Sequence, residues 1–191
     1  MKTKPGSRTA VNPGARDRIH ETQTVFLVGF MGAGKTSVGR ALSRRLGLSF
    51  EDLDDRIQDR EGKTIEQIFR EFGEAEFRRA ETAALRELLG ELRRAPRVVA
   101  LGGGAFVQAD NAALIEGPEL RSVFLDAPVE ELLRRCEQEQ KERPLRQNPK
   151  QFRELYEKRR QSYMRADVRV ETSGKDVDTV AAEVACSLGL G

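Results

Sequence analysis

The 191 residues contain one histidine, His20, and two widely separated cysteines, Cys136 and Cys186. A lone histidine outside the patterned part of the chain excludes Ser/His/Asp and Cys/His hydrolysis, the HExxH metalloprotease and any His-ligated metal site. Two isolated cysteines build neither a disulfide framework nor a zinc cage, so both are read as small buried or half-buried side chains. With no apolar signal segment near the start, a reducing cytoplasm is the expected compartment. Tryptophan is absent and aromatics make up 6%, a poor endowment for stacking on nucleic-acid bases. The longest near-continuous apolar stretch, Val25 to Ala33, runs into Gly34-Lys35. A bilayer span needs about 18 residues or more, so no membrane partner is expected. Charge of one sign is lacking too, with 33 Lys and Arg against 31 Asp and Glu. The net +2 is unevenly placed: residues 1–20 hold Lys2, Lys4, Arg8, Arg16 and Arg18 against Asp17, leaving 28 basic and 30 acidic residues. Of those 28, 22 are arginine. The chemistry must therefore run on carboxylates, arginines, a lysine and backbone amides.

What is present is periodic. Residues 1–23 are polar, with few apolar side chains, and read as a flexible N-terminal extension. From 24 to 191 apolar runs alternate with helical patterns, as in a single α/β domain. Thr24 to Val28 is a buried strand, followed by a helix on Val38, Leu42 and Leu46 that stops at Gly47. Leu48 to Asp52, Val98 to Leu101, Ser122 to Leu125 and Val168 to Val170 complete five strands. Between them, Thr64 and Gln67 form a capping box that starts a helix near 65. Phe77, Ala80, Ala84, Leu85, Leu88 and Leu92 mark one face of a long helix, and Val177 to Leu188 a closing helix. Strands separated by helices favour a three-layer, doubly wound, five-stranded parallel sheet. Residues 137–149 are polar, charged and proline-bearing, and read as a mobile loop of the kind that closes over a nucleotide.

Gly29-Phe30-Met31-Gly32-Ala33-Gly34-Lys35-Thr36 satisfies G-x-x-x-x-G-K-[ST] between a strand and a helix. Glycines let successive amides turn inward on a phosphate, the helix start adds its positive end, the lysine reaches the β- and γ-phosphates, and the threonine hydroxyl suits Mg2+. Asp52 and Asp54 end the second strand; on an extended segment two carboxylates at i and i+2 face the same way, toward the mouth of the sheet. Arg78 and Glu81 stand three apart on the long helix and can pair. Gly102-Gly103-Gly104 leaves a strand with unobstructed amides. Arg143 and Arg146 lie in the loop, and Arg159 lies on the helix after it. Each of these has a bland counterpart, a surface acidic pair, a solvated helix face or a plain turn.

Taken together the segments resemble shikimate kinase, a P-loop kinase of nucleoside monophosphate kinase type. The resemblance covers Thr24 to the C-terminus through GFMGAGKT, DLD, the Gly73–Glu81 segment, GGG, the Arg143-Pro144 lid and the Arg159-to-Tyr163 spacing. It implies sheet order 2-3-1-4-5 and phosphorylation of the 3-hydroxyl of shikimate by ATP with Mg2+, in a monomer acting on a small molecule. It assigns Gly32, Ala33, Gly34, Lys35, Thr36 and Ser37 to the ATP phosphates, Arg135 to adenine and Arg143 to the transferring phosphoryl group. Thr36 would bind Mg2+, and Asp52 would support it through water. Asp54 would hold the substrate hydroxyls and serve as the base, with Arg78, Gly102, Gly103, Gly104 and Arg159 binding the rest of the substrate. The lid departs from the family pattern at Arg146, where a second leucine is usual, and the Ser173–Asp176 turn lacks the family's frequent proline, leaving Lys175 as a candidate there. A gluconate kinase-like enzyme shares the loop but not the Arg78, triple-glycine and Arg159 set, and a non-catalytic nucleotide-binding derivative would have lost it.

Overall fold

A computed structural model describes residues 23–92, 95–117, 119–138 and 148–190. The expected extension, apart from Gln23, most of the expected lid, and Arg143 and Arg146 lie outside the described residues. The strands are β1 (Thr24–Val28), β2 (Ser49–Asp52), β3 (Arg97–Ala100), β4 (Leu120–Asp126) and β5 (Val168–Glu171). The helices are α1 (Lys35–Leu46), α2 (Leu53–Glu61), α3 (Ile65–Leu92), α4 (Ala109–Leu114), α5 (Val129–Gln138), α6 (Pro149–Tyr163) and α7 (Val177–Ser187). All strand pairs are parallel and the order is β2-β3-β1-β4-β5, as expected. Helices flank the sheet, with α1 against α7 and β3, α3 against α2 and α4, and α5 against α6.

Hydropathy follows position in the sheet. Central β1, Thr-Val-Phe-Leu-Val, is buried at every residue, as a strand covered on both faces must be. The edge strands β2 (Ser-Phe-Glu-Asp) and β5 (Val-Arg-Val-Glu) are each half charged. Edge β2 is stapled by an ionic network: Glu51 takes Arg56 and Arg97, and Glu91 takes the same two arginines.

The turn chemistry operates as read. Thr64 N–H donates to the Gln67 side chain at 2.8 Å, and Gln67 N–H to Thr64 Oγ1 at 3.2 Å. Three readings need correction. Asp54 is the second residue of α2, not part of an extended strand end, because Asp52 turns its carboxylate onto the Asp54 amide at 3.1 Å and starts a helix there. Cys186, expected to be buried or half-buried, is exposed, because the face of α7 that packs inward is formed by Val180, Ala181, Val184 and Ala185. The loop expected over 137–149 is shorter, since Glu137 and Gln138 belong to α5 and Pro149 opens α6 behind an Asn148 cap. Among the described residues no helix is long and apolar enough to cross a membrane.

The ends of β1 and β4 touch where no side chain fits. Gly29 has φ 144°, and a Cβ there would stand 2.7 Å from the Leu125 carbonyl oxygen. Gly29→Ala should therefore lower stability by about 1–3 kcal/mol through overpacking against backbone, seen as a lower urea midpoint at unchanged slope; an unaltered midpoint would contradict this packing.

Candidate functional site

The glycine curl, Asp52 and the triple glycine stand at the carboxyl ends of β1, β2 and β3, and the candidate arginines reach them from helices. After β1 the chain curls through Gly32 (φ 77°) and Gly34 (φ 85°) into α1. The curl is pressed onto α5: a Cβ on Gly32 would lie 2.7 Å from Leu132 O and 2.9 Å from Cys136 Sγ. Lys35 closes it, its ammonium donating to the carbonyls of Gly29 (2.9 Å) and Phe30 (3.0 Å). No side chain caps α1 and its first turn holds no acid, whereas α2, α6 and α7 are capped by Asp52, Asn148 and Asp176. An uncapped helix start behind a glycine curl fits a phosphate chain.

Beside it the Thr36 hydroxyl donates to Asp52 Oδ2 at 2.8 Å. These hard oxygens, one hydroxyl and one carboxylate, suit Mg2+, which is held by few protein oxygens and completes its shell with phosphates and water. Ser37, the last of the expected loop set, is exposed on α1, while Ala33 is buried beneath the curl.

The triple glycine follows β3, its position fixed by the Leu101 amide donating to Leu27 O at 3.0 Å. A Cβ at Gly102 would stand 2.5 Å from Asp54 Oδ1 and 3.2 Å from Glu81 Oε1. At Gly103 it would face Arg159 Nη1 (3.6 Å), Gly29 O (3.7 Å) and Tyr163 Oη (3.8 Å). At Gly104 it would run into the Arg78 guanidinium. The bare segment thus gathers Asp54 from α2, Arg78 and Glu81 from α3, and Arg159 and Tyr163 from α6, and lies next to Gly29 of the phosphate loop. Tyr163 donates its hydroxyl to Gly103 O, which pins the segment to α6.

Electrostatics at this junction is set by burial. Glu81 is 0% exposed. Its pKa is pushed up first by that burial and further by nearby Asp54, with the charges of Arg78 and Arg159 pulling the other way. Arg78 donates Nη1 to Glu81 Oε2 at 2.8 Å and Nη2 to Glu74 Oε1 at 3.2 Å. Burial opposes its charge, but Glu81 and Glu74 prevail and hold it firmly protonated. Burial also pushes Tyr163 up to about 12, so its hydroxyl remains a donor at neutral pH.

Arg135 lies between the phosphate loop and the turn after β5. It donates to Thr172 O (2.9 Å), Thr172 Oγ1 (3.0 Å), Glu131 Oε1 (2.5 Å) and Gly32 O (3.4 Å). Lys175 is turned away to Glu183 at 2.6 Å, so nothing in its contacts favours the role open to it from sequence. The structure thus brings together Lys35, Thr36 and Asp52 around one centre, and Asp54, Arg78, Gly102, Gly103, Gly104 and Arg159 around a neighbouring one. Sequence reading missed Asp126, 3% exposed at the end of β4, which accepts from Arg160 (2.9 Å), Arg169 (2.9 Å) and Tyr156 (3.2 Å) and so anchors α6. Its only signal was an acid closing an apolar strand.

Comparison with known proteins identifies the family. The family model described as Shikimate kinase matches residues 31–188. The chain is 42% identical over 166 residues to the shikimate kinase of Geobacter sulfurreducens, covering 85% of this chain and 89% of that one. Among solved structures, shikimate kinase from Aquifex aeolicus aligns at TM-score 0.76 and 37% identity over 87% of this chain and 96% of its own. Shikimate kinase from Acinetobacter baumannii in complex with shikimate aligns at 0.80 and 39%, over 89% and 96%.

The buried carboxyl has a measurable signature. Because the folded pKa of Glu81 exceeds its unfolded value, the native state binds more protons than the unfolded state between the two. Its contribution to stability is therefore lost as pH rises from the ordinary glutamate value, about 4.3, through the raised folded value. Glu81→Gln removes that loss. Its melting temperature should gain on the parent as pH rises from about 4 toward neutrality; a constant difference across that range would refute the raised value.

Proposed function

The chain belongs to the shikimate kinase family, and we propose that it transfers the γ-phosphoryl group of ATP to the 3-hydroxyl of shikimate. The products are shikimate 3-phosphate and ADP, on the route to chorismate and the aromatic amino acids. The observation that carries the reading is the convergence of Asp54, Arg78 and Arg159 on the bare Gly102–Gly104 backbone, next to the phosphate loop. One carboxylate and two arginines flanking open amides match an acceptor that carries hydroxyls and a carboxylate.

ATP supplies the phosphoryl group, and Mg2+ neutralises charge on its phosphates. Gly32, Ala33, Gly34, Lys35, Thr36 and Ser37 would cradle those phosphates, with Thr36 and Asp52 holding the cation, Asp52 through water. Arg135 would border the adenine side. Asp54 would orient the attacking hydroxyl and take its proton, while Arg78 and Arg159 would hold the ring carboxylate in forked hydrogen bonds. Arg143, by its match to the lid pattern, would meet the transferring group. Phosphoryl transfer is largely positioning and charge stabilisation, so a site without histidine suffices. All these groups come from one chain, in keeping with a monomeric cytoplasmic enzyme that needs no nucleic-acid or membrane partner.

Purified protein with ATP and Mg2+ should release ADP on addition of shikimate and form shikimate 3-phosphate. Turnover on gluconate or a nucleoside monophosphate, with none on shikimate, would reject the proposal. Asp54→Asn should keep its melting profile and lose about 10²- to 10⁴-fold in kcat, the usual range for removing a positioned base. Turnover equal to the parent's would remove Asp54 from the mechanism.

A further inference from the structure

Gln108 follows the triple glycine and occupies the N-cap position of α4. A side chain there ordinarily accepts from the exposed amides of the first helical turn. Gln108 makes no such cap. Its backbone carbonyl takes the Ala112 amide at 3.0 Å, while its side chain crosses to α3 and donates Nε2 to Glu81 Oε2 at 2.6 Å. That is the same oxygen that receives Arg78 Nη1 at 2.8 Å. Glu81 Oε1 is buried and has no hydrogen-bond partner among the described residues, so both observed donors of the carboxylate act on one oxygen.

This arrangement gives Glu81 two tasks. It must stay ionised and in one rotamer although it has no access to solvent and Asp54 stands near, and it must present that oxygen to Arg78. A donated amide hydrogen favours the charged form and fixes the rotamer. Opposite the Glu81 edge, the Arg78 fork is held by the exposed Glu74, a weaker tether in high dielectric. The orientation of the Arg78 fork therefore depends chiefly on Glu81, and that of Glu81 on Gln108.

We propose that Gln108 is a positioning residue for acceptor binding: its side-chain amide braces Glu81, and through Glu81 it aims the Arg78 guanidinium at the substrate carboxylate. The inference rests on the functional reading above. It adds that the chain leaving the open-amide segment also steers, through Gln108 beyond the Ala105–Val107 turn, the arginine on the opposite wall. Acceptor affinity, not the chemical step or nucleotide binding, is what the brace controls.

The test is a double-mutant cycle on the full chain with Gln108→Met, which keeps the length and removes the donor, Glu81→Ala, and the pair. Gln108→Met should raise KM for shikimate about tenfold, the scale of one hydrogen bond to a charged group, with kcat and KM for ATP within about twofold. In the Glu81→Ala background the same change should have no further effect. Parent protein inactive toward shikimate would overturn the functional reading and this inference together. With an active parent, an unaltered KM for shikimate, equal losses in both KM values, a fall in kcat alone, or full additivity with Glu81→Ala would each overturn the inference alone. If melting curves show Gln108→Met unfolded, Gln108→Ala carries the same comparison to the same decision.

Discussion

Backbone without side chains is the constraint on which this site is built. At Gly29, Gly32, Gly102 and Gly104 an added Cβ would meet backbone oxygen, a thiol, a carboxylate or a guanidinium at close range. The phosphate curl can rest on α5, and the ends of β1 and β3 can lie open under the charged groups, only because these positions are bare. The parallel sheet supplies the rest. Since all five strands run the same way, each connection leaving a carboxyl end delivers its first residues to one rim. Lys35 and Thr36 arrive from β1, Asp54 from β2 and the glycines from β3, while β4 supplies Asp126 beneath the helix that bears Arg159.

Burial then decides which of the many charges matter. The Arg153–Glu130 pair is exposed on both sides, at 45% and 64%, and such pairs contribute about 0–1 kcal/mol. Arg78–Glu81 has the same chemistry, but its carboxylate side chain is 1% exposed. There the desolvation of Glu81 is large enough to raise its pKa even beside an arginine, so the pair spends stability to fix an orientation. The arginine-rich composition takes its meaning from this. A guanidinium offers several donors in a rigid plane, so Arg78 can hold Glu81 and Glu74 by some and keep others for a ligand. An ammonium at the same place offers no fixed fork.

Legibility from sequence followed how local each determinant was. The glycine curl, the capping box at Thr64 and Gln67, the glycine stop at Gly47 and the five strands are written in short, contiguous patterns, and the structure bears them out. The convergence of Asp54, Arg78 and Arg159 was reached only through the resemblance, because they come from three helices that no periodicity brings together. Asp54 was placed on a strand because a DxD reads as extended, yet the Asp52 side chain captures its amide and turns the chain into a helix. The last turn of α5, Glu137 and Gln138, reads as loop because its polar residues blend into the charged segment after it. Gln108 was invisible, and Asp126 showed only as an acid closing an apolar strand, because their partners lie far off in sequence.

Asp126 shows how the two halves of the site share one support. Its carboxylate, at the end of β4, receives Arg160 and Tyr156, which adjoin the Arg159 turn of α6. Its backbone oxygen receives the Thr172 amide at 2.8 Å, and Thr172 in turn accepts from Arg135 beside the phosphate curl. Phe30 of that curl packs edge-on against Phe152 and Tyr156 of the same helix, with ring centres 5.0 and 5.5 Å apart. A displacement of α6 would therefore disturb Arg159 beside the triple glycine and Phe30 in the glycine curl together. Phosphoryl transfer requires donor and acceptor in line, and in the function proposed above the spacing between their two cradles depends on one buried carboxylate and two aromatic contacts, not only on the loops that carry the reacting groups.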